Sequence, residues 1–102
     1  MESIIEKNRQ AIAKLCRKYH VVRLDVFGSL VAGDFGESSD IDFLVEFDTD
    51  VNQRRFDNFF ELLREMEQLF NRRVDLVEVG GLRNPYFIKR VKETRRPIYA
   101  AS

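Results

Sequence analysis

Apolar residues follow two periodicities along this chain, and these predict alternating helices and strands. Helical spacing predicts helices from a capping box at Ser3 to about residue 18, from about 51 to 70, and from an Asn84-Pro85 cap to about 94. Alternation of apolar and polar residues predicts strands at 21–27, 40–47 and 73–79, a short edge strand at 97–100, and a short helix starting at Ser29 between the first two. This order predicts one α/β (α+β) domain over residues 1–102, a small mixed sheet with helices mainly on one face.

The longest predicted helix carries a broad apolar stripe that we interpret as core. For two of its aromatic residues, Phe59 and Phe60, a role on a partner surface is the alternative interpretation. The stripe consists of Phe56, Phe59, Phe60, Leu63, Met66 and Phe70.

The second predicted strand begins with two aspartates that point to the same face. Asp40 and Asp42 are two residues apart, so their carboxylates lie side by side and repel each other unless a cation or a proton intervenes. The apolar residues that follow occupy the opposite face, which predicts a sheet covered on one side and open on the acidic side.

Two further features favour a metal and phosphate site at this point. The first strand ends at a Gly28-Ser29 turn whose backbone N–H groups suit a triphosphate, and Mg²⁺ prefers oxygen ligands such as aspartate. A third carboxylate, Asp75, lies on the strand at 73–79 and converges with the pair if the two strands are neighbours. We interpret Asp25, on the first strand, as a polar strand residue rather than a metal ligand.

The Gly-Ser turn, the Ser-Asp-x-Asp motif and the later aspartate together resemble the nucleotidyltransferase superfamily that includes DNA polymerase β. The string Asp-Ile-Asp-Phe-Leu-Val-Glu-Phe is most similar to its minimal nucleotidyltransferase (MNT) branch, the antitoxins of HEPN-domain toxins. The resemblance implies that Gly28 and Ser29 hold the triphosphate and that Asp40, Asp42 and Asp75 hold two Mg²⁺ ions as catalytic residues. Ser39 matches the family serine that precedes the first acid and is expected to orient Asp40, with a simple turn role as the alternative.

The resemblance also implies an activity, namely transfer of AMP from ATP to a tyrosine of a HEPN ribonuclease toxin. Many MNT members carry Ala-Arg-Gly after the Gly-Ser turn, where this chain has Val31-Ala32-Gly33. The missing arginine supports a second hypothesis, an antitoxin that blocks its toxin sterically and keeps a vestigial site. A third is a subunit of a small-molecule (antibiotic) nucleotidyltransferase.

Composition adds limits on partners and location. The 17 basic residues equal the 17 acidic ones, so net charge does not indicate nucleic-acid binding, and none is expected directly. Acidic residues dominate 34–50 and basic residues dominate 83–96, which we interpret as solvated surface or as an acidic metal pole and a basic surface. The lone Cys16 falls at a core position, and no stretch has the length of a membrane span, so we expect a cytoplasmic protein. The family resemblance implies a hetero-oligomer with a HEPN-domain partner.

Overall fold

The computed structural model describes residues 2–33, 40–48, 55–81 and 83–101. The elements follow the predicted order, and a 3₁₀ turn over Val79–Gly81 joins the third strand to the last helix. They are α1 (Glu2–Lys7), α2 (Arg9–Lys18), β1 (Val21–Phe27), α3 (Ser29–Ala32), β2 (Ile41–Phe47), α4 (Arg55–Phe70), β3 (Val74–Glu78), α5 (Pro85–Thr94) and β4 (Arg96–Ala100).

The first predicted helix is divided into α1 and α2 at Asn8. The Asn8 backbone leaves the helical region, and its side-chain amide donates a hydrogen bond of 2.9 Å to the Ile4 carbonyl. A short polar side chain that bonds to a backbone carbonyl one turn back competes with the helical pattern and interrupts it. The predicted capping box is wrong at its first residue, because α1 begins at Glu2 and Ser3 lies inside it.

The last helix begins as the sequence predicts. The Asn84 side chain accepts a hydrogen bond of 2.9 Å from the Tyr86 N–H, and Pro85 occupies the first helical position, where no N–H is needed. The helix ends at Thr94, and β4 follows directly along the edge of β1.

The described strands form a four-stranded mixed sheet in the order β3-β2-β1-β4. Strand β1 is antiparallel to β2 and to β4, whereas β2 and β3 are parallel. The register sets Phe27 opposite Asp42 and Asp42 opposite Asp75, so one row across the sheet carries two of the predicted acids.

One face of the sheet packs against α1, α2, α3 and α4 and forms the main core. On α4 the buried face consists of Leu62, Met66 and Phe70, which are spaced four residues apart. The predicted core stripe is wrong at Phe60, whose side chain is 53% exposed, because two residues of helix turn it about 200° away from Leu62. Phe59 and Leu63 pack at the margin of the core, and the side chain of Phe56 lies outside the described residues.

The alternation predicted that the other face of the sheet is open. This prediction is wrong, because α5 covers part of that face. Val91 on α5 packs with Phe27 and Leu44, and the rings of Phe27 and Phe87 meet edge to face with centroids 5.8 Å apart. The acids lie on this same face, so α5 forms a wall beside them. None of the helices in the described ranges has the length and apolar character needed to span a lipid bilayer.

Asp25 is completely buried under the end of α5, where two arginines neutralise it. Arg95, the residue after α5, donates from Nε to Asp25 Oδ2, and Arg23 Nη2 lies 3.4 Å from the same oxygen. A buried carboxylate requires such partners because its desolvation is costly. Asp25 therefore ties the end of α5 to the middle of β1.

Replacing Asp25 with Asn should lower the free energy of unfolding by about 2 kcal/mol, because Arg95 then loses its counter-charge while it stays half-buried. Urea unfolding followed by circular dichroism at pH 7 measures this difference. Glu61→Gln, an isosteric change at an exposed acid of α4, is the control and should leave the midpoint unchanged. Equal midpoints for both variants would contradict the structural role of Asp25.

Candidate functional site

The site is built around the end of β1, where the backbone turns at Gly28. Gly28 has φ +79°, which favours glycine, and a Cβ atom placed there would lie 2.2 Å from Asp42 Oδ2. A side chain at position 28 would force the carboxylate or the turn to move. Glycine therefore permits the turn to approach the carboxylate of Asp42 directly.

Helix α5 holds this turn in place. The Gly28 N–H donates a hydrogen bond of 2.8 Å to Thr94 Oγ1, and the Thr94 hydroxyl in turn donates to the Arg90 carbonyl at 2.6 Å. The sequence analysis assigned the Gly28 N–H to phosphate binding. In this structure that N–H donates to the side chain of Thr94. The glycine turn is fixed to the same helix that Asp25 ties to the sheet.

Asp42 and Asp75 are neighbours on parallel strands, as the sequence predicted they would be if these strands paired. Burial of its carboxyl group, followed by the negative charges of Asp75 and Asp40, raises the pKa of Asp42 from 3.8 to about 6, and Arg90 opposes this rise. The pKa of Asp42 therefore depends on both other predicted acids and on one cation of α5. A carboxylate in this position is stabilised by a proton or by a metal ion.

Asp40 lies just before β2 and is exposed, so it stands at the rim of the site beside the Asp42/Asp75 pair. Ser29 is the first residue of α3, directly after the glycine turn, and only its backbone is described. Ser39 lies outside the described residues. Within the described ranges, no three acidic, histidine or cysteine side chains form a complete metal site. The carboxylate oxygens and the repulsion between the negative charges at Asp42 nonetheless suit a hard cation such as Mg²⁺.

Sequence reasoning missed the contributions of α5 to this site. The excess of basic residues over 83–96 indicated a basic surface and so pointed to this segment in general. Nothing in the sequence assigned Thr94 to the glycine turn, which lies 66 residues earlier. The proximity of Arg90 to Asp42 was likewise not predicted.

Comparisons with known proteins bear on the family of this chain. A family model described as a nucleotidyltransferase domain matches residues 8–98. A Methanocaldococcus jannaschii protein assigned as a protein adenylyltransferase is 33% identical over 93 residues, covering 91% of this chain and 89% of the relative. The protein adenylyltransferase MntA of Thermococcus cleftensis is 34% identical over 84 residues, covering 82% of this chain and 79% of the relative.

Solved structures show the same fold. A structure described as a minimal nucleotidyltransferase superimposes with a TM-score of 0.74 at 34% identity, covering 90% of each chain. A second comes from the complex of a tri-AMPylated Shewanella oneidensis HEPN toxin with its MNT antitoxin, with a TM-score of 0.65 at 19% identity. That alignment covers 95% of this chain and 73% of the other, and at this identity it shows the fold alone.

Gly28→Ala should reduce nucleotidyl transfer at least about 100-fold, because a 1 Å displacement of a site group costs about this much. The introduced methyl group meets Asp42 Oδ2 at 2.2 Å and forces the turn or the carboxylate to move. Initial rates of pyrophosphate release measure the effect.

Gly33→Ala is the matched control for this change. Gly33 also has a positive φ, +92°, but nothing lies within 4 Å of an added Cβ atom. Gly33→Ala therefore has the backbone strain of an alanine at positive φ, but its added methyl group meets no neighbouring atom. Equal rates for the two variants would show that the approach of Gly28 to Asp42 does not matter for transfer.

Asp42→Asn should raise the midpoint of thermal unfolding by about 4–8 °C at pH 7.5 in a chelator, a gain of about 1 kcal/mol after allowance for solvent screening. The pKa of Asp42 is raised by folding, so the folded state holds its proton more tightly, and stability falls as the pH rises from 3.8 through about 6. Asparagine does not ionise, so the variant does not lose this stability as the pH rises.

Thermal melts at pH 3.5 and pH 7.5 test the sign. The wild type and Asp42→Asn should differ little at the lower pH and most at the higher pH. Asp75→Asn should lower the pKa of Asp42, read from its side-chain carboxyl NMR signal, because one of the two repelling charges is gone. A stability difference that is the same at both pH values would contradict this account.

Proposed function

Because the chain belongs to the nucleotidyltransferase domain family, we propose that it transfers AMP from ATP to a tyrosine of a HEPN-domain toxin and thereby neutralises that toxin. The chain is a nucleotidyltransferase by family. The observation that carries the proposal is the contact between the glycine turn and Asp42, with Asp75 alongside. It unites a backbone turn for phosphate with paired carboxylates for a metal ion.

In the proposed reaction, the acceptor oxygen forms a bond to the α-phosphorus of ATP, the bond between the α- and β-phosphates breaks, and pyrophosphate leaves. Asp40, Asp42 and Asp75 would hold two Mg²⁺ ions, which supply charge for the phosphates and lower the pKa of the acceptor hydroxyl. Asp75 is exposed, which supports the proposal that it accepts the acceptor's proton.

Gly28 and Ser29 would face the β- and γ-phosphates. Gly28 contributes chiefly by keeping the backbone close to Asp42, since its N–H already donates to Thr94 Oγ1. A phosphate oxygen that bonds to this N–H would take the place of the threonine hydroxyl. We propose that Ser39, which precedes the first acid, orients Asp40.

We propose that the acceptor is a protein. Relatives that cover most of this chain bear the name protein adenylyltransferase, which supports the same class of acceptor. The AMPylated HEPN toxin seen with an MNT antitoxin of the same fold supports a toxin as the partner. The single Cys16, which is buried and forms no disulfide, supports the proposal of a cytoplasmic location. Binding to the proposed toxin would make a hetero-oligomer.

Steric inhibition by a vestigial site is the second candidate, and one observation favours it. Position 32 is alanine where many MNT members have arginine, so α3, which follows the turn, lacks that cation. The position of Arg90 weighs against it, because Arg90 acts on Asp42 from α5 and supplies positive charge from another element. The two candidates differ in whether inhibition requires Asp42 and ATP.

Co-expression with a cognate HEPN-domain toxin, followed by intact-mass measurement of the toxin, tests the proposal. Wild type should add one or more AMP masses to the toxin, and Asp42→Asn should add none because the site loses its central carboxylate. Mapping by fragmentation should place the added mass on a tyrosine.

Glu46→Gln is the matched control for this experiment. Glu46 is an exposed acid on the same strand and the same face as Asp42, four residues away from it. It should modify the toxin as the wild type does. An unmodified toxin that both wild type and Asp42→Asn bind and silence would refute transfer and establish the steric mechanism.

A further inference from the structure

A surface cavity of about 420 Å³ opens beside Asp75, on the side of the acid pair away from the glycine turn. Its walls come from β3, from the 3₁₀ turn and from the start of α5. They are formed by Asp75, Val77, Gly81, Arg83, Asn84 and Phe87. The size falls within the range of small-molecule and side-chain binding sites.

The position of this cavity follows from the order of the strands. Gly28 ends β1 and touches Asp42 on β2, while Asp75 stands on β3, beyond Asp42 from the turn. In phosphoryl and nucleotidyl transfer the attacking and leaving oxygens lie roughly in line, on opposite sides of the phosphorus. If pyrophosphate leaves toward the Gly28 turn, the acceptor hydroxyl arrives from the side of Asp75.

The chemistry of the walls indicates which acceptor fits. Val77 and Phe87 provide an apolar and aromatic surface, and Phe87 is 37% exposed although its ring contacts Phe27. An aromatic ring from a partner would gain an edge-to-face or offset contact with Phe87. Asp75 then faces the polar end of such a ring.

Arg83 gives the cavity a positive rim. It is exposed and lies between the 3₁₀ turn and α5. A cation at this place disfavours a polycationic acceptor, such as an aminoglycoside, and favours a hydroxyl group with an acidic neighbour. Asn84 contributes less to recognition, since its side-chain oxygen already accepts from the Tyr86 N–H.

We propose that this cavity is the acceptor subsite and that it takes a tyrosine side chain with an acidic neighbour, its ring on Phe87 and its hydroxyl toward Asp75. This inference rests on the proposed function and extends it by assigning Phe87 and Arg83 to acceptor recognition. The tyrosine hydroxyl gives its proton to Asp75 as its oxygen bonds to the α-phosphorus, and pyrophosphate leaves on the side of Gly28.

The test is an NMR titration of the full ¹⁵N-labelled chain with the dipeptides N-acetyl-Glu-Tyr-amide and N-acetyl-Lys-Tyr-amide. Saturable shifts are expected at the amides of Val77, Gly81 and Arg83, with tighter binding of the Glu-Tyr dipeptide. Phe87→Ala should weaken binding at least about tenfold, equal to about 1.4 kcal/mol.

Tyr86→Ala is the matched control, since Tyr86 is the adjacent aromatic residue on the same helix, is 86% exposed and does not line the cavity. It should change affinity less than about twofold, as exposed substitutions usually do. Because Phe87 also packs on Phe27, Arg83→Glu provides a variant that leaves the core intact. It should reverse the preference to the Lys-Tyr dipeptide, while Lys92→Glu, farther along α5, should retain the preference for Glu-Tyr.

Adenosine is the competing occupant, and it is titrated in parallel. Shifts of the same three amides by adenosine but not by either dipeptide would overturn the inference and assign the cavity to the base. If the toxin is AMPylated equally well by wild type and Phe87→Ala, the subsite is wrong while the proposed function stands. If the dipeptides bind as expected but no AMP reaches the toxin, the function is wrong and the tyrosine-binding cavity stands.

Discussion

The approach of the Gly28 backbone to the carboxylate of Asp42 is the constraint on which the site depends. It brings the end of β1 into contact with the start of β2, so that a side chain at position 28 would displace the Asp42 carboxylate or the turn. Phe27, immediately before the turn, pairs with Asp42 in the β1–β2 register and so determines where along the strands this contact forms. The parallel register of β2 and β3 then places Asp75 beside Asp42.

Helix α5 maintains this constraint from the same face of the sheet as the acids. Thr94 holds the glycine turn by a hydrogen bond, and Arg95 anchors the end of the helix to the buried Asp25. Val91 and Phe87 add apolar contacts with Phe27 between these polar links. The helix thus supplies the wall of the site, the link to its turn and the cation Arg90 that acts on Asp42, all from ten consecutive residues.

Much of the fold and part of the site could be predicted from local patterns. The strand alternation predicted which residues share a face, and the Asn84-Pro85 pair predicted the start of α5, because both signals depend on near neighbours in sequence. The covering of the acidic face by α5 was not predictable in this way. The partners that fix it, Asp25 and Arg95, are 70 residues apart.

The errors have the same physical origin. Phe60 is a large apolar residue of the kind found in cores, but the helix places it on the side opposite Leu62. Docking of the helix decides that the side of Leu62 is the buried one. Asn8 was counted within one helix because its apolar neighbours continue the helical spacing, although its side chain competes for a backbone carbonyl. Periodicity identifies elements, and tertiary contacts decide their orientation and their breaks.

The charge distribution at Asp42 bears on whether the site is active or a relic. Burial and two like charges raise its pKa, so the ionised pair weakens the fold at neutral pH in the absence of a cation. Packing gives no reason for such a pair, since an amide of the same shape would avoid the repulsion at either position. A cation held between the carboxylates removes that cost, and Arg90 offsets only part of it. The metal ion proposed for this site would therefore relieve the repulsion at Asp42, which is the role expected of these acids in a working transferase.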